Sequence, residues 1–239
     1  MFPQLEQSQK GINFNYLKPT IQQINWLKTY SSTIELKNSE SIQLEHAYYK
    51  LKLKGTKNYM MTRHSVYLKL IEALEQLPQQ FGFLVFDAFR SLKTQHALFD
   101  YIYQQQKALA TNLSHSELFE ITKSFVTYPT DNKVPPHNSG GAIDLTLTYN
   151  NTLLDMGTDF DEVSEVSHTI FFEQEYNEKF NINKNRWEKI KTNRRILFNI
   201  MKNAGFTNYS YEWWHFDLGD SMWAEIHNTN WQYPSMEGE

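Results

Sequence analysis

Apolar residues recur at every third or fourth position from 63 to 77, at Val66, Leu70, Ile71, Leu74 and Leu77. That spacing predicts an amphipathic helix, which Pro78 ends. FLVF at 83–86, preceded by Gly82, has the length and apolarity of a buried strand. It leads through DAFR into a helical pattern from about Lys93 to Ala108. A third helix is expected near Ser114, where SHSE supplies a capping box. Residues 128–141 hold three prolines and the run Ser139, Gly140, Gly141, and predict a loop.

Beyond that loop, AIDLTLT at 142–148 alternates, with Ile143, Leu145 and Leu147 on one face and Asp144, Thr146 and Thr148 on the other. YNNT at 149–152 reads as a hairpin turn, and residues 153–183 carry no clear period. A long helix follows from about Asn185 to Asn203, with Gly205 placed to take the left-handed conformation at its end. YEWWHFDL at 211–218 reads as a strand. Helices followed by short antiparallel strands predict an α+β fold, a small antiparallel sheet packed against several helices. Residues 1–60 are polar and weakly patterned, and are expected to form an N-terminal extension packed on a domain of residues 61–239.

The 239 residues, 40% of them hydrophobic and 15% aromatic, can bury a core without disulfides. A net charge of −4 with no basic stripe argues against nucleic-acid binding. The absence of cysteine rules out thiol catalysis and every cysteine-based zinc site. No run approaches the roughly 20 apolar residues of a membrane helix. The N-terminus shows no leader pattern, so the expected location is the cytoplasm, or the periplasm if a leader has been removed.

The alternating strand turns Asp144 away from the core, and His137 lies seven residues upstream across the Gly140-Gly141 pair. On its own that pair is explained by a hydrogen bond across a turn. EWWH adds Glu212 and His215, three apart among large aromatics. Residues three apart on a regular strand face opposite sides, so a shared site requires Glu212 to sit at a bend before the strand.

Together these residues match a catalytic zinc centre, with three nitrogen and oxygen ligands and a fourth position left to water. His137, Asp144 and His215 are the candidate ligands, and Glu212 the candidate base. The same donors also accept cobalt, nickel or copper. Arg90, just past a buried strand, is a candidate oxyanion stabiliser, or a surface arginine paired with Asp87.

FDAFRSLKTQ, HNSGGAIDLTL, DMGTDFDEVSEVSH, NRRILFNIMKNAGF and EWWHF occur in that order, and over about residues 60–220 the chain resembles the D-alanyl-D-alanine dipeptidases. The resemblance implies the hedgehog-type zinc fold, with the zinc site carried on the small sheet. It also implies zinc ligation by His137, Asp144 and His215, Glu212 as base and Arg90 on the scissile carbonyl. Asp161 is then the acidic residue that binds the substrate's free amino group. The implied substrate is free D-Ala-D-Ala, in cell-wall precursor or D-alanine metabolism. Alternatives are a carboxypeptidase or endopeptidase acting on longer peptidoglycan peptides, or a zinc-binding module without turnover. Pro135 and Pro136 depart from the serine pair that some relatives carry there. His168 falls in a matched segment and is a candidate pocket residue, whereas His46, His64, His96, His115 and His227 are expected to be ordinary surface or loop histidines.

Overall fold

The computed structural model describes residues 5–110, 112–123, 126–129 and 133–238. The chain begins with α1 (Glu6–Gln9), α2 (Ile21–Thr29), β1 (Thr33–Leu36), β2 (Ile42–Leu44) and α3 (Ala47–Lys50). β3 (Met60–Arg63) runs directly into α4 (His64–Leu74), and β4 (Phe81–Asp87) is followed by α5 (Leu92–Leu109) and α6 (His115–Lys123). The single turn α7 (Pro136–Ser139) precedes β5 (Ala142–Tyr149) and β6 (Thr152–Leu153). Last come α8 (Lys184–Asn203), β7 (Thr207–Asn208), β8 (His215–Asp217) and α9 (Ser221–Ile226).

The main sheet has the order β2-β4-β5-β8-β7, with β6 added on β5, while β1 and β3 pair separately. Every pairing is antiparallel except β2 with β4. The fold is α+β. On one face of the sheet Phe83, Val85, Ile143, Leu145 and Leu147 join Val66 and Leu70 of α4 and Ile196, Leu197, Ile200 and Met201 of α8 in one core. The apolar alternation in β5 and the apolar stripes of the two helices dictate this layer. Leu27, Leu36 and Ile42, from the weakly patterned N-terminal segment, lie in the same core.

Local rules explain the ends of several elements. Ser114 and Glu117 close the expected capping box, with Glu117 N donating to Ser114 Oγ and Ser114 N to Glu117 Oε2. Asn150 and Asn151 take φ values of 49° and 59°, which turns the β5–β6 hairpin. Gly205 has φ 103° just after α8.

Four features differ from the sequence reading. The 63–77 helix stops at Leu74, because Leu77 N bonds back to Leu74 O in a turn before Pro78. The proline-rich loop contains α7, begun by Pro136 at a position whose N–H a helix leaves unpaired anyway. Only His215–Asp217 of YEWWHFDL is strand, since Glu212–Trp214 turn in order to bring His215 onto β5. His227 is 7% exposed, held edge-on against Trp223 at 4.6 Å, rather than a surface histidine. Among the described residues no helix is long and apolar enough to cross a membrane.

Candidate metal centre

The second face of the sheet carries the polar side chains. Asp144 on β5 is register partner to His215 on β8, so both project to that face. β4 shifts register between Val85 and Asp87, which pairs Asp87 with Asp144. The extra residue at Phe86 thereby turns Asp87 to the polar face instead of the core. His137 arrives from α7, whose end at Gly140 requires a left-handed φ of 73° that glycine adopts without penalty. Buried Arg63 fixes that turn by donating to the Ser139 carbonyl at 2.8 Å.

His137, Asp144 and His215 bring their donor atoms within 4.8 Å of one another. His215 Nδ1 lies 3.0 Å from Asp144 Oδ1, His137 Nε2 lies 3.3 Å from Asp144 Oδ2, and the two ring nitrogens lie 3.3 Å apart. The outer nitrogens are engaged elsewhere. His137 Nδ1 meets the Ala88 carbonyl at 2.7 Å, and His215 Nε2 meets Asp217 Oδ1 at 2.8 Å. Both partners accept, so the outer nitrogens carry the protons, and in the neutral rings the inner lone pairs converge on the Asp144 carboxylate. Such a cluster of acceptors needs a cation. Without one a proton supplies the charge: burial disfavours the His215 imidazolium, but Asp217 and Asp144 outweigh it and raise its pKa well above the ordinary value. Burial opposes the Asp144 anion too, and the two histidines hold its carboxyl well below the usual range. Two imidazoles, one carboxylate and a carboxylate behind a ligand fit a divalent metal ion.

Glu212 and Asp161 line the same cavity of about 260 Å³. The Glu212 carboxylate lies 3.9 Å from His215 Nδ1, on the bend that the three-residue spacing required. Burial, with help from Asp144 and Asp161, raises its pKa to about 8 against the pull of His215 and Arg90. Asp161 takes a left-handed φ of 61°, and burial with repulsion from Asp144 raises its pKa to about 7. Arg90 is buried and immobilised. Its Nε donates to Asp87 Oδ2 at 2.9 Å, Nη1 to Gln95 Oε1 at 3.0 Å and Nη2 to the Tyr48 hydroxyl at 3.1 Å. Arg90 does pair with Asp87, but as a buried arginine lining the cavity and not as a surface one.

Several residues of this site were not singled out from the sequence. Tyr48, whose hydroxyl accepts from Arg90 and stands near Asp161, comes from the weakly patterned N-terminal segment, where no local signal marks it. Asp217 could have been found, because it lies two residues beyond His215 and so shares its strand face. Asn208 donates through its side-chain amide to both the Glu212 carbonyl (3.0 Å) and the His215 carbonyl (2.8 Å), bracing the turn between them. His168 lies outside the metal-side cavity, in the wall of a neighbouring one.

Comparison with known proteins adds an independent line. The chain is 29% identical over 170 residues to a D-alanyl-D-alanine dipeptidase of Synechocystis sp., covering 67% of this chain and 66% of that protein. It is 31% identical over 163 residues to a D-alanyl-D-alanine dipeptidase of Enterococcus faecium, covering 65% and 70%. Against that of Escherichia coli it is 41% identical over 83 residues, 34% of this chain and 37% of that protein. The match thus spans about two thirds of the length of the first two relatives. A family model described as D-ala-D-ala dipeptidase matches residues 50–235, a stretch that includes the acceptor cluster, Arg90, Asp161 and Glu212. On that match the chain belongs to the D-Ala-D-Ala dipeptidase family of peptidases.

Proposed function

We propose that the protein is a zinc dipeptidase that hydrolyses free D-Ala-D-Ala to two molecules of D-alanine. The observation that carries this reading is the convergence of two imidazoles and a carboxylate at the floor of a cavity that also holds Glu212, Arg90 and Asp161. The family supports a peptidase and a small peptide substrate. The all-nitrogen-and-oxygen donor set, without a cysteine in the chain, supports zinc with an open coordination position.

His137, Asp144 and His215 hold the ion, with Asp217 and the Ala88 carbonyl orienting the two rings. When bound, the ion supplies Lewis acidity that polarises a carbonyl and acidifies water. Glu212 accepts a proton from the attacking water and delivers it to the departing amine nitrogen as the peptide C–N bond breaks. A carboxyl beside the His137, Asp144 and His215 cluster, in the wall of the same cavity, is placed for both halves of that transfer. Arg90 stabilises the negative charge that develops on the carbonyl oxygen. Its three fixed hydrogen bonds mean that little reorganisation is needed as that charge appears. Asp161, supported by Tyr48, accepts the substrate's ammonium group and so favours a peptide with a free amino end close to the scissile bond.

The test is D-alanine release by the purified protein, before and after chelation, from D-Ala-D-Ala, L-Ala-D-Ala and an N-acetylated tripeptide. Activity on D-Ala-D-Ala alone, lost with chelator and restored by zinc, is expected. Preference for the blocked tripeptide would replace the dipeptidase by an enzyme of longer peptides.

A further inference from the structure

A second cavity, of about 440 Å³, adjoins the metal-side one, and Asp161 and Glu212 belong to the walls of both. Its remaining wall is largely apolar and aromatic, with Ile102, Val163, Tyr211 and Trp214 beside His168. Tyr211 is 55% exposed and packs against His168 at 4.9 Å and Tyr209 at 5.4 Å, so the three rings form an aromatic wall that solvent still reaches. The metal-side cavity of about 260 Å³ already suits a molecule as small as two alanines, whereas 440 Å³ lies within the roughly 300–1,000 Å³ of sites that enclose much larger ligands.

The position of the second cavity says which part of a substrate enters it. Resting on the dipeptidase reading, the amino group sits at Asp161 and the scissile carbonyl beside Glu212. The first α-carbon of a dipeptide lies between those two groups, and its side chain leaves from that carbon. The space that opens between Asp161 and Glu212 therefore receives the side chain of the amino-terminal residue. An alanine methyl would leave almost all of it filled with water against apolar walls, an arrangement that a larger apolar side chain improves by displacing that water.

We propose that this cavity is the side-chain subsite for the amino-terminal residue, and that the substrate class is dipeptides whose first residue is bulky, aromatic or branched aliphatic, with D-Ala-D-Ala its smallest member. The test compares kcat/KM for D-Phe-D-Ala, D-Leu-D-Ala and D-Ala-D-Ala in the metal-loaded wild type and in two cavity-filling variants, Val163→Trp and Ser164→Trp. In the wild type the bulky dipeptides are expected to match or exceed D-Ala-D-Ala. Either filling variant should lower kcat/KM on D-Phe-D-Ala about tenfold more than on D-Ala-D-Ala, the size of effect expected for lost apolar burial in a pocket. Wild-type discrimination against D-Phe-D-Ala by roughly a hundredfold or more, or equal losses on both substrates in the variants, overturns the assignment. Hydrolysis of no dipeptide at all would remove the dipeptidase reading instead. Calorimetric binding of D-Phe-D-Ala to the metal-loaded protein then decides the cavity's role: binding that Val163→Trp abolishes sustains the subsite, and no binding overturns it.

Discussion

His215 gives its outer ring proton to Asp217 Oδ1 at 2.8 Å, and Asp217 is completely buried beneath the site. The carboxylate fixes which nitrogen faces Asp144 and strengthens it as a donor to a metal. Asp217→Ala is therefore expected to weaken metal binding by about 10- to 100-fold, measured by competition with a chromophoric chelator. Asp217→Asn keeps an acceptor for the same proton and should lose less. Unchanged affinity in the alanine variant would make Asp217 a packing residue only.

Glu212 stands 3.9 Å from the nearest ring nitrogen of His215, at the edge of the acceptor cluster and outside the set of three. Glu212→Gln should keep the full metal content and lose turnover by about 10²- to 10⁴-fold, the usual contribution of a general base. Metal content by elemental analysis alongside kcat separates the roles. Loss of metal with loss of activity would make Glu212 a ligand.

Asp161 is expected to act on the substrate's charge. Asp161→Ala should reduce kcat/KM for D-Ala-D-Ala by at least tenfold more than for its N-acetylated analogue, which brings no ammonium to pair. Equal reductions would detach Asp161 from the amino group.

The metal-free protein has a defined pH signature. Asp161, with a pKa raised to about 7, and Glu212, raised to about 8, hold protons in the folded state that the unfolded chain releases near pH 4. Their contribution is complete below the unfolded values and is lost as pH rises through 7 to 8. Asp144 works in the opposite sense, but its carboxyl is held below the ordinary range, so its effect is confined to more acidic conditions. The melting temperature of the chelated protein should fall between about pH 5 and about pH 8, and the fall should be shallower in the Asp161→Asn, Glu212→Gln double variant, where His215, its pKa also raised, still contributes in the same sense. A melting temperature that rises across this window would contradict both shifts.

Elements with a strong period were legible from the chain. The alternation at 142–148 placed β5 and turned Asp144 off the core, and the Glu212–His215 spacing demanded a bend that the structure contains. Both follow from strand geometry, which is local. The polar face of β5 is nonetheless buried, with Thr146 and Thr148 at 3% exposed, which strand alternation alone does not foretell. Tyr48 and β2 were illegible because each gains its meaning from a partner 40 or so residues away, Arg90 for the first and β4 for the second. α7 was missed because a single turn carries no period to read.

β2 pairs with β4 from residues 42–44, and Tyr48 follows it, whereas the family match begins at residue 50. A version trimmed to that boundary would bare the hydrogen-bonding rim of β4 and release Arg90 from one of its three anchors. The boundary drawn by homology thus leaves outside it one strand of the main sheet and one anchor of the buried arginine.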